Sequence, residues 1–314
     1  GAGYALLDLP LSYYSGFVLP HRYGQSTQSR RDWFVDQVKG LALSGVIGLI
    51  LLEIIYALLY FAPDTWWLWA AGVMLLFTVL LSNLAPVLIF PIFFKYAPLN
   101  DQELATRLTA LAERANTRVR GVYTFDMSSK TIAANAAVMG LGNTRRIVLG
   151  DTLVENFTAD EIETVLAHEL AHQVHHDLIK GIFVQSVLTL VGFWLAHRVM
   201  LWGIAAFNYE GLADPATLPL LIVGLAAFGL VTMPLNNAWS RWREVKADRY
   251  ALEMTQNPAA FINAMTRLAN QNLADAEPPS WVEFLLHSHP SIGKRVAMAR
   301  AQIKLPGEQL DFIA

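Results

Sequence analysis

The chain has 314 residues, of which 54% are hydrophobic and only 16% charged, and its formal net charge is −3. Intrinsic disorder and a nucleic-acid-binding module are excluded, because the first needs a polar, highly charged chain and the second a basic surface. The absence of cysteine excludes a disulfide scaffold, a thiol protease and any metal site with thiolate ligands. Eight histidines remain as candidate metal ligands.

Four apolar stretches are long enough to cross a bilayer, which takes about 20 residues. They run from about Leu41 to Ala62, Trp66 to Phe94, Gly181 to Phe207 and Leu218 to Trp239. The second stretch contains Pro86 and Pro91 and is predicted to be kinked or tilted. Four buried helices of a soluble protein would fit these runs poorly, so the sequence predicts a polytopic integral membrane protein in contact with the lipid bilayer.

The loops between these stretches predict the orientation of the chain in the membrane. The short connections 63–65 and 208–217 contain no lysine or arginine, whereas segments 95–180 and 238–314 carry nine basic residues each. By the positive-inside rule, both polar segments and residues 1–40 face the cytoplasm of a bacterium or archaeon, or lie on the cytoplasmic side of an endoplasmic reticulum membrane. The first residues do not form a signal peptide, and the start is expected to be processed or trimmed, with room for further spans upstream.

The polar segment 95–180 divides into a helix, a group of strands and a second helix. Leucines at helical spacing predict an amphipathic helix over Asp101–Asn116, and strand-like patterns follow at Val119–Phe125, Ile132–Met139 and Ile147–Leu149. A G-L-G-N turn at 140–143 is predicted to join the last two strands into a hairpin. T-A-D-E at 158–161 is a capping-box pattern, so a helix should begin there and continue through the 170s.

That helix contains H-E-L-A-H at 168–172, the H-E-x-x-H pattern. His168 and His172 lie one turn apart on one face and can bind one zinc ion, and Glu169 can take the proton of an attacking water. The alternative interpretation is a helix with two surface histidines. By spacing alone His172 and His176 form a second candidate pair, which ranks lower because no glutamate follows its first histidine.

Zinc in a hydrolase needs a third protein ligand and an open position. The best candidate is Glu244, just after the fourth apolar stretch, and Asp248 lies one turn further on, where it can orient a zinc-bound histidine. Glu244 alone would be interpreted as a solvated carboxylate near the membrane. His289 and Arg295 could stabilise an oxyanion, but their spacing alone favours an ordinary loop and surface helix.

Taken together, these residues resemble the type I CAAX prenyl protease family, integral-membrane zinc metalloproteases, and its heat-shock-induced bacterial relatives. Five motifs match in chain order. The first is N-terminal and consists of D-L-P-L-S-Y-Y at 8–14, F-V at 17–18 and D-Q-V-K-G at 36–40, and the second consists of N-A at 135–136 and R-I-V-L-G-D-T-L at 146–153. The other three are H-E-L-A-H at 168–172, E-V-K-A-D at 244–248, and H-P at 289–290 followed by Arg295. The N-terminal motif favours the prenyl-protease branch. Members usually have more spans upstream than the four visible here, which fits a compact prokaryotic member or a truncated chain.

The resemblance implies a role for each motif. The zinc ligands would be His168, His172 and Glu244, with one ion per chain, and Glu169 would be the catalytic base. His289 and Arg295 would be catalytic-site residues, Asp248 would hold a ligand in place, and Asn135 and Ala136 would lie on an edge strand that pairs with the substrate. The substrate would be a peptide or protein, prenylated or embedded in the membrane.

The fold class expected from these arguments is a mainly α, polytopic membrane protein, with about four transmembrane helices and a zincin-type (gluzincin) catalytic domain that contains a small β-sheet or hairpin. The chain is predicted to divide into five segments. Residues 1–40 form a cytoplasmic N-terminal segment, residues 41–94 and 181–239 contain two membrane spans each, and residues 95–180 and 240–314 together form the catalytic region. Two alternatives to a prenyl protease remain at this point, a quality-control protease of damaged membrane proteins and a catalytically silent zinc-containing scaffold. A metal transporter would need ligands spread through the spans.

Overall fold

The computed structural model describes residues 2–140 and 145–303, and in these residues the chain is mainly helical. The longest helices are α3 (Arg30–Phe61), α4 (Trp66–Leu84), α9 (Asp177–Phe207) and α10 (Leu218–Thr255). Each belongs to one of four helical segments that are long and apolar enough to cross a membrane, which confirms the four predicted spans. Two helices extend well beyond their apolar stretches, α3 at its start and α10 at its end.

The proline-containing part of the second span is irregular, as predicted. After α4 the chain forms a π-helical turn over Ala85–Ile89 and the short helix α5 (Phe90–Phe93). Pro86 and Pro91 have no backbone N–H to donate, so the regular hydrogen-bond ladder cannot continue through them.

The N-terminal residues pack against the start of α3. They form α1 (Ala2–Tyr13), a π-helical turn and α2 (Leu19–Arg22). The indole of Trp33, which is 3% exposed, contacts the rings of Tyr13 and Phe17. The segment after α2 then reaches the polar region through an isolated bridge between Ser26 and Thr131, so the start of the chain is tied to both parts of the molecule.

A four-stranded sheet lies in the polar region, with strand order β1-β2-β4-β3. Its strands are β1 (Tyr96–Pro98), β2 (Val122–Phe125), β3 (Ala136–Met139) and β4 (Arg146–Gly150). The predicted pairing of the last two strands is confirmed: β3 and β4 are antiparallel, whereas β2 and β4 are parallel. Strands β2 and β3 are shorter than predicted, whereas β4 is one residue longer at each end. Strand β1 was not predicted, and positions 141–143 of the predicted turn lie outside the described residues.

The remaining helices surround the sheet and build the core of the polar region. They are α6 (Gln102–Arg114), α7 (Asp151–Asn156), α8 (Ala159–Val174), α11 (Pro258–Gln271), α12 (Ser280–Leu286) and α13 (Ile292–Ile303). Leu108 of α6, Leu166 of α8 and Phe261 of α11 are fully buried in one cluster. The same cluster includes Ala251 and Leu252 of α10, so a membrane-spanning helix contributes directly to this core.

Candidate metal centre

The start of α8 is fixed by a reciprocal cap. The hydroxyl of Thr158 accepts from the backbone N–H of Glu161 at 3.3 Å, and the Glu161 carboxylate accepts from the N–H of Thr158 at 2.8 Å. With the helix beginning there, His168 and His172 lie on one face near its C-terminal end, and their Nε2 atoms are 3.3 Å apart.

The end of α8 corrects one expectation. The helix was predicted to continue through the 170s, but it ends at Val174, and His176 has a left-handed backbone with φ of 55°. A new helix, α9, begins at Asp177, whose carboxylate accepts from Nδ1 of His172 at 2.8 Å. The turn between the two helices therefore places Asp177, and not His176, against the imidazole of His172.

Glu244 enters the site from α10. Its Oε2 lies 3.2 Å from Nε2 of His168, and its Oε1 lies 3.5 Å from Nε2 of His172. One ligand atom from each of these three residues lies within 4.8 Å of the others, and they are the one such cluster found among the residues that the structure describes.

The donor chemistry of this cluster fits a metal ion. The Nδ1 atoms of both histidines face carboxylates, Asp248 for His168 and Asp177 for His172, which leaves the Nε2 lone pairs directed at the Glu244 carboxylate. Oε2 of Glu244 is buried and receives no hydrogen bond among the described residues. Acceptors so arranged need a cation between them, and two imidazoles and a carboxylate are ligands that zinc prefers.

Asp248 connects His168 to Arg295. It is fully buried, its Oδ1 lies 2.9 Å from Nδ1 of His168, and it accepts from Nε and Nη2 of Arg295 at 2.8 and 2.5 Å. Burial disfavours a charged imidazole, but Asp248 and Glu244 outweigh it and raise the pKa of His168 to about 9. In the metal-free site, a proton thus supplies part of the positive charge that the carboxylates require.

Glu169 and His289 border a cavity of about 150 Å³ beside this cluster. Burial raises the pKa of the Glu169 carboxyl group, although His168 and His172 oppose the shift. Nε2 of His289 lies 3.5 Å from Oε2 of Glu244, and Nδ1 of His289 lies 2.9 Å from Oγ of Ser288. Arg295 also lines the cavity, but two of its nitrogens are held by Asp248.

Another part of the cavity wall is formed at the start of β3, one of the two edge strands of the sheet. Asn135 and Ala136 line it, and the carbonyl of Asn135 accepts from the N–H of Gly150 at 2.8 Å. Because peptide groups alternate in direction along an antiparallel pair, those of Ala136 and Val138 face away from β4. Gln173 of α8 donates to the carbonyl of Val138 at 3.4 Å, and this contact agrees with that direction.

The structure therefore brings together all nine residues singled out from the sequence. Arg295 is held mainly by Asp248, and its Nη2 also lies 3.5 Å from Nδ1 of His168. The pairing of Asp248 with Arg295 was missed by sequence reasoning. No local pattern connects two residues that lie in separate helices and far apart in the chain.

Two family models match the chain. The model described as Peptidase family M48 matches residues 98–303, and the model described as CAAX prenyl protease N-terminal, five membrane helices, matches residues 2–95. The second match includes two of the four candidate spans found among the described residues.

Individual relatives agree with these models. The chain is 33% identical to the uncharacterized metalloprotease YhfN of Bacillus subtilis, over 97% of this chain and 72% of that protein. It is 30% identical to CAAX prenyl protease 1 of Saccharomyces cerevisiae, over 93% of this chain and 68% of that protein. The crystal structure of S. mikatae Ste24p superposes with a TM-score of 0.85 at 27% identity, covering 95% of this chain and 73% of that one.

A match over most of the chain, carried by both the membrane helices and the polar region, shows the family. The chain belongs to peptidase family M48 and is an integral membrane metalloendopeptidase that resembles CAAX prenyl protease.

Proposed function

We propose that the chain hydrolyses peptide bonds with one zinc ion held by His168, His172 and Glu244. The observation that carries this proposal is the convergence of three ligand atoms, two imidazole nitrogens and a carboxylate oxygen, with the other nitrogen of each histidine held by a buried carboxylate. A zinc ion bound there would supply Lewis-acid chemistry, polarising the scissile carbonyl and acidifying the attacking water.

Glu169 is the proposed general base. It follows the first ligand on α8, borders the cavity next to the cluster, and has a pKa that burial raises toward the range in which a carboxylate accepts and returns protons well. It would take a proton from the attacking water and pass it to the leaving amine. His289, with Nε2 facing the cluster, would donate a hydrogen bond to the oxyanion, while Arg295 would act as a positioning residue through Asp248.

The substrate is proposed to bind as an added strand along β3. The outward peptide group of Ala136 offers a donor and an acceptor to an extended peptide, whereas the carbonyl of Val138 already accepts from Gln173. The cavity beside this strand is also lined by Glu169. In this arrangement segments 95–180 and 240–314 form the catalytic region and face the cytoplasm, as their basic residues indicate.

The substrate class is proposed from the relatives. Several of them are named CAAX prenyl protease, and a C-a-a-X sequence is a C-terminal motif whose cysteine receives a prenyl group. Because the catalytic region adjoins four membrane-spanning segments, a lipid-modified C-terminal peptide could reach it with its lipid chain in the bilayer.

The test is cleavage of a prenylated C-a-a-X peptide beside its unprenylated counterpart and a misfolded membrane protein. The wild-type protein should release the C-terminal fragment of the prenylated peptide, and Glu169→Gln should abolish release while keeping one zinc ion per chain. Glu163→Gln on the same helix is the matched control, because its carboxylate pairs with Arg107 away from the cluster and its loss should leave cleavage intact. Full activity of Glu169→Gln would disprove the assignment, and cleavage of the misfolded protein alone would reassign the function to quality control.

A further inference from the structure

Arg243 lies next to the candidate metal centre, in the lining of a second cavity. It precedes Glu244 on α10, and its guanidinium group lies over the ring of Trp239, 4.1 Å from the centroid. Its Nε is buried and has no hydrogen-bond partner within residues 2–140 and 145–303, whereas the residue as a whole is partly exposed. A buried donor without a partner carries a desolvation cost, which an acceptor arriving in the adjacent cavity would offset.

The cavity that Arg243 lines adjoins the metal cluster on a second side. It has a volume of about 410 Å³, and its polar lining consists of Thr78, His172, Asp177, Gln185, Arg243 and Glu244. Within the described residues, Arg243 is the one lysine or arginine in this lining. The cavity is thus an acidic and neutral space with a single guanidinium group in it.

The two cavities lie on either side of Glu244, which lines both. The first contains Glu169 and the substrate-pairing residues Asn135 and Ala136, whereas the second contains Arg243. A peptide whose scissile bond lies at the cluster would therefore place one part along β3 and the other part in the cavity of Arg243.

We propose that Arg243 binds the C-terminal carboxylate of the peptide substrate. This inference rests on the proposed function, in which the substrate ends in a C-a-a-X sequence and its free carboxylate lies within three residues of the modified cysteine. The planar guanidinium group can bind a carboxylate through two parallel hydrogen bonds, and its contact with the Trp239 ring restricts its motion. The site thereby selects the end of a chain over an internal segment.

The decisive measurement is equilibrium binding of a peptide with a free C-terminal carboxylate and of the same peptide as its C-terminal amide. Both are measured by fluorescence polarisation in the Glu169→Gln background, so that nothing is cleaved. The acid should bind about 10- to 100-fold more tightly than the amide, and adding Arg243→Gln should remove that difference by weakening the acid alone. Arg243→Lys, which keeps the charge without the two-pronged geometry, should give an intermediate result.

Lys246→Gln is the matched control. Lys246 lies on the same helix, is exposed, and stacks on Trp242 at 3.7 Å outside the cavity, so its loss removes the same charge without touching the site. It should leave the difference between acid and amide unchanged. A peptide amide with a glutamate side chain near its end distinguishes a terminal carboxylate from a side-chain carboxylate.

Equal affinities of acid and amide for the Glu169→Gln protein with Arg243 intact would overturn the proposal, and this comparison needs no substitution at Arg243. A loss of zinc or a lower melting temperature in Arg243→Gln, with acid and amide weakened equally, would overturn it in favour of a structural role. If the acid bound more tightly than the amide but the wild-type protein cleaved no peptide, the carboxylate site would be supported and the proposed function would be refuted.

Discussion

Asp248→Asn tests the connection between the metal cluster and the C-terminal helix. Asp248 is fully buried and joins His168 to Arg295 through both of its oxygens. Asparagine keeps the size of the side chain but removes its charge, which leaves a guanidinium group with a side chain only 11% exposed and no counter-charge at Asp248.

The expected magnitude follows from that burial. Removing one partner of a buried ion pair costs about 3–5 kcal/mol of unfolding free energy, whereas loss of an exposed pair costs at most about 1 kcal/mol. Loss of a carboxylate that orients a metal-binding histidine lowers metal affinity by about 10- to 100-fold. Asp248→Asn should therefore reduce both the stability and the zinc affinity.

Asp177→Asn provides the matched comparison. Asp177 accepts from Nδ1 of His172 at 2.8 Å, as Asp248 does from His168, but no arginine lies against it in the described residues. Asp177→Asn should lower zinc affinity to a similar degree and cost only about 1 kcal/mol of stability. The difference between the two variants isolates the contribution of Arg295.

The assays are chelator competition for zinc affinity and thermal unfolding of the purified, metal-free proteins in one detergent. Using the metal-free form is essential, because bound metal would add its own binding free energy to the stability. If metal-free Asp248→Asn were no less stable than metal-free Asp177→Asn, the buried-pair argument would be wrong. If both kept wild-type zinc affinity, the histidines would not be ligands oriented by these carboxylates.

Two further predictions concern the helix cap and the metal. Thr158→Ala removes one half of the reciprocal cap of α8 and should lower the unfolding free energy by about 1 kcal/mol, as measured by thermal unfolding; an unchanged melting temperature would show that the cap is dispensable. Removal of the metal with a chelator should lower the melting temperature of the wild-type protein but not that of the double variant His168→Ala, His172→Ala. If the melting temperatures of both proteins fell equally, the metal would bind elsewhere.

Local sequence patterns predicted the features that depend on interactions between residues close together in the chain. The spans follow from uninterrupted apolar runs, the start of α8 from the capping box at Thr158 and Glu161, and the shared face of His168 and His172 from helical spacing. Each is determined by residues that lie close together in the chain. For such features the periodicity of the sequence is sufficient evidence.

Other features depend on contacts that no local pattern encodes. The break between α8 and α9 occurs at His176, without the glycine or proline that usually marks a helix end, and it brings Asp177 against His172. The strand β1 has three residues, too few for a recognisable alternation. The contact between Arg295 and Asp248 was not predicted, because the two residues lie in different helices and only tertiary packing brings their side chains together.

The depth of the cluster is fixed by two helices independently. Asp177 precedes the apolar stretch that begins near Gly181 by four residues, about 6 Å of helix, and Glu244 follows Trp239 by five residues, about 8 Å. A third element agrees, because Asn237 of α10 donates to the carbonyl of Leu285 in α12 at 2.7 Å. If the cluster is the hydrolytic site as proposed, the scissile bond comes within about two helical turns of the apolar boundary. A peptide anchored in the bilayer beside its C terminus presents that bond at this depth, whereas a soluble peptide has to be brought there. The anchored and unanchored forms of one peptide should consequently differ in KM more than in kcat.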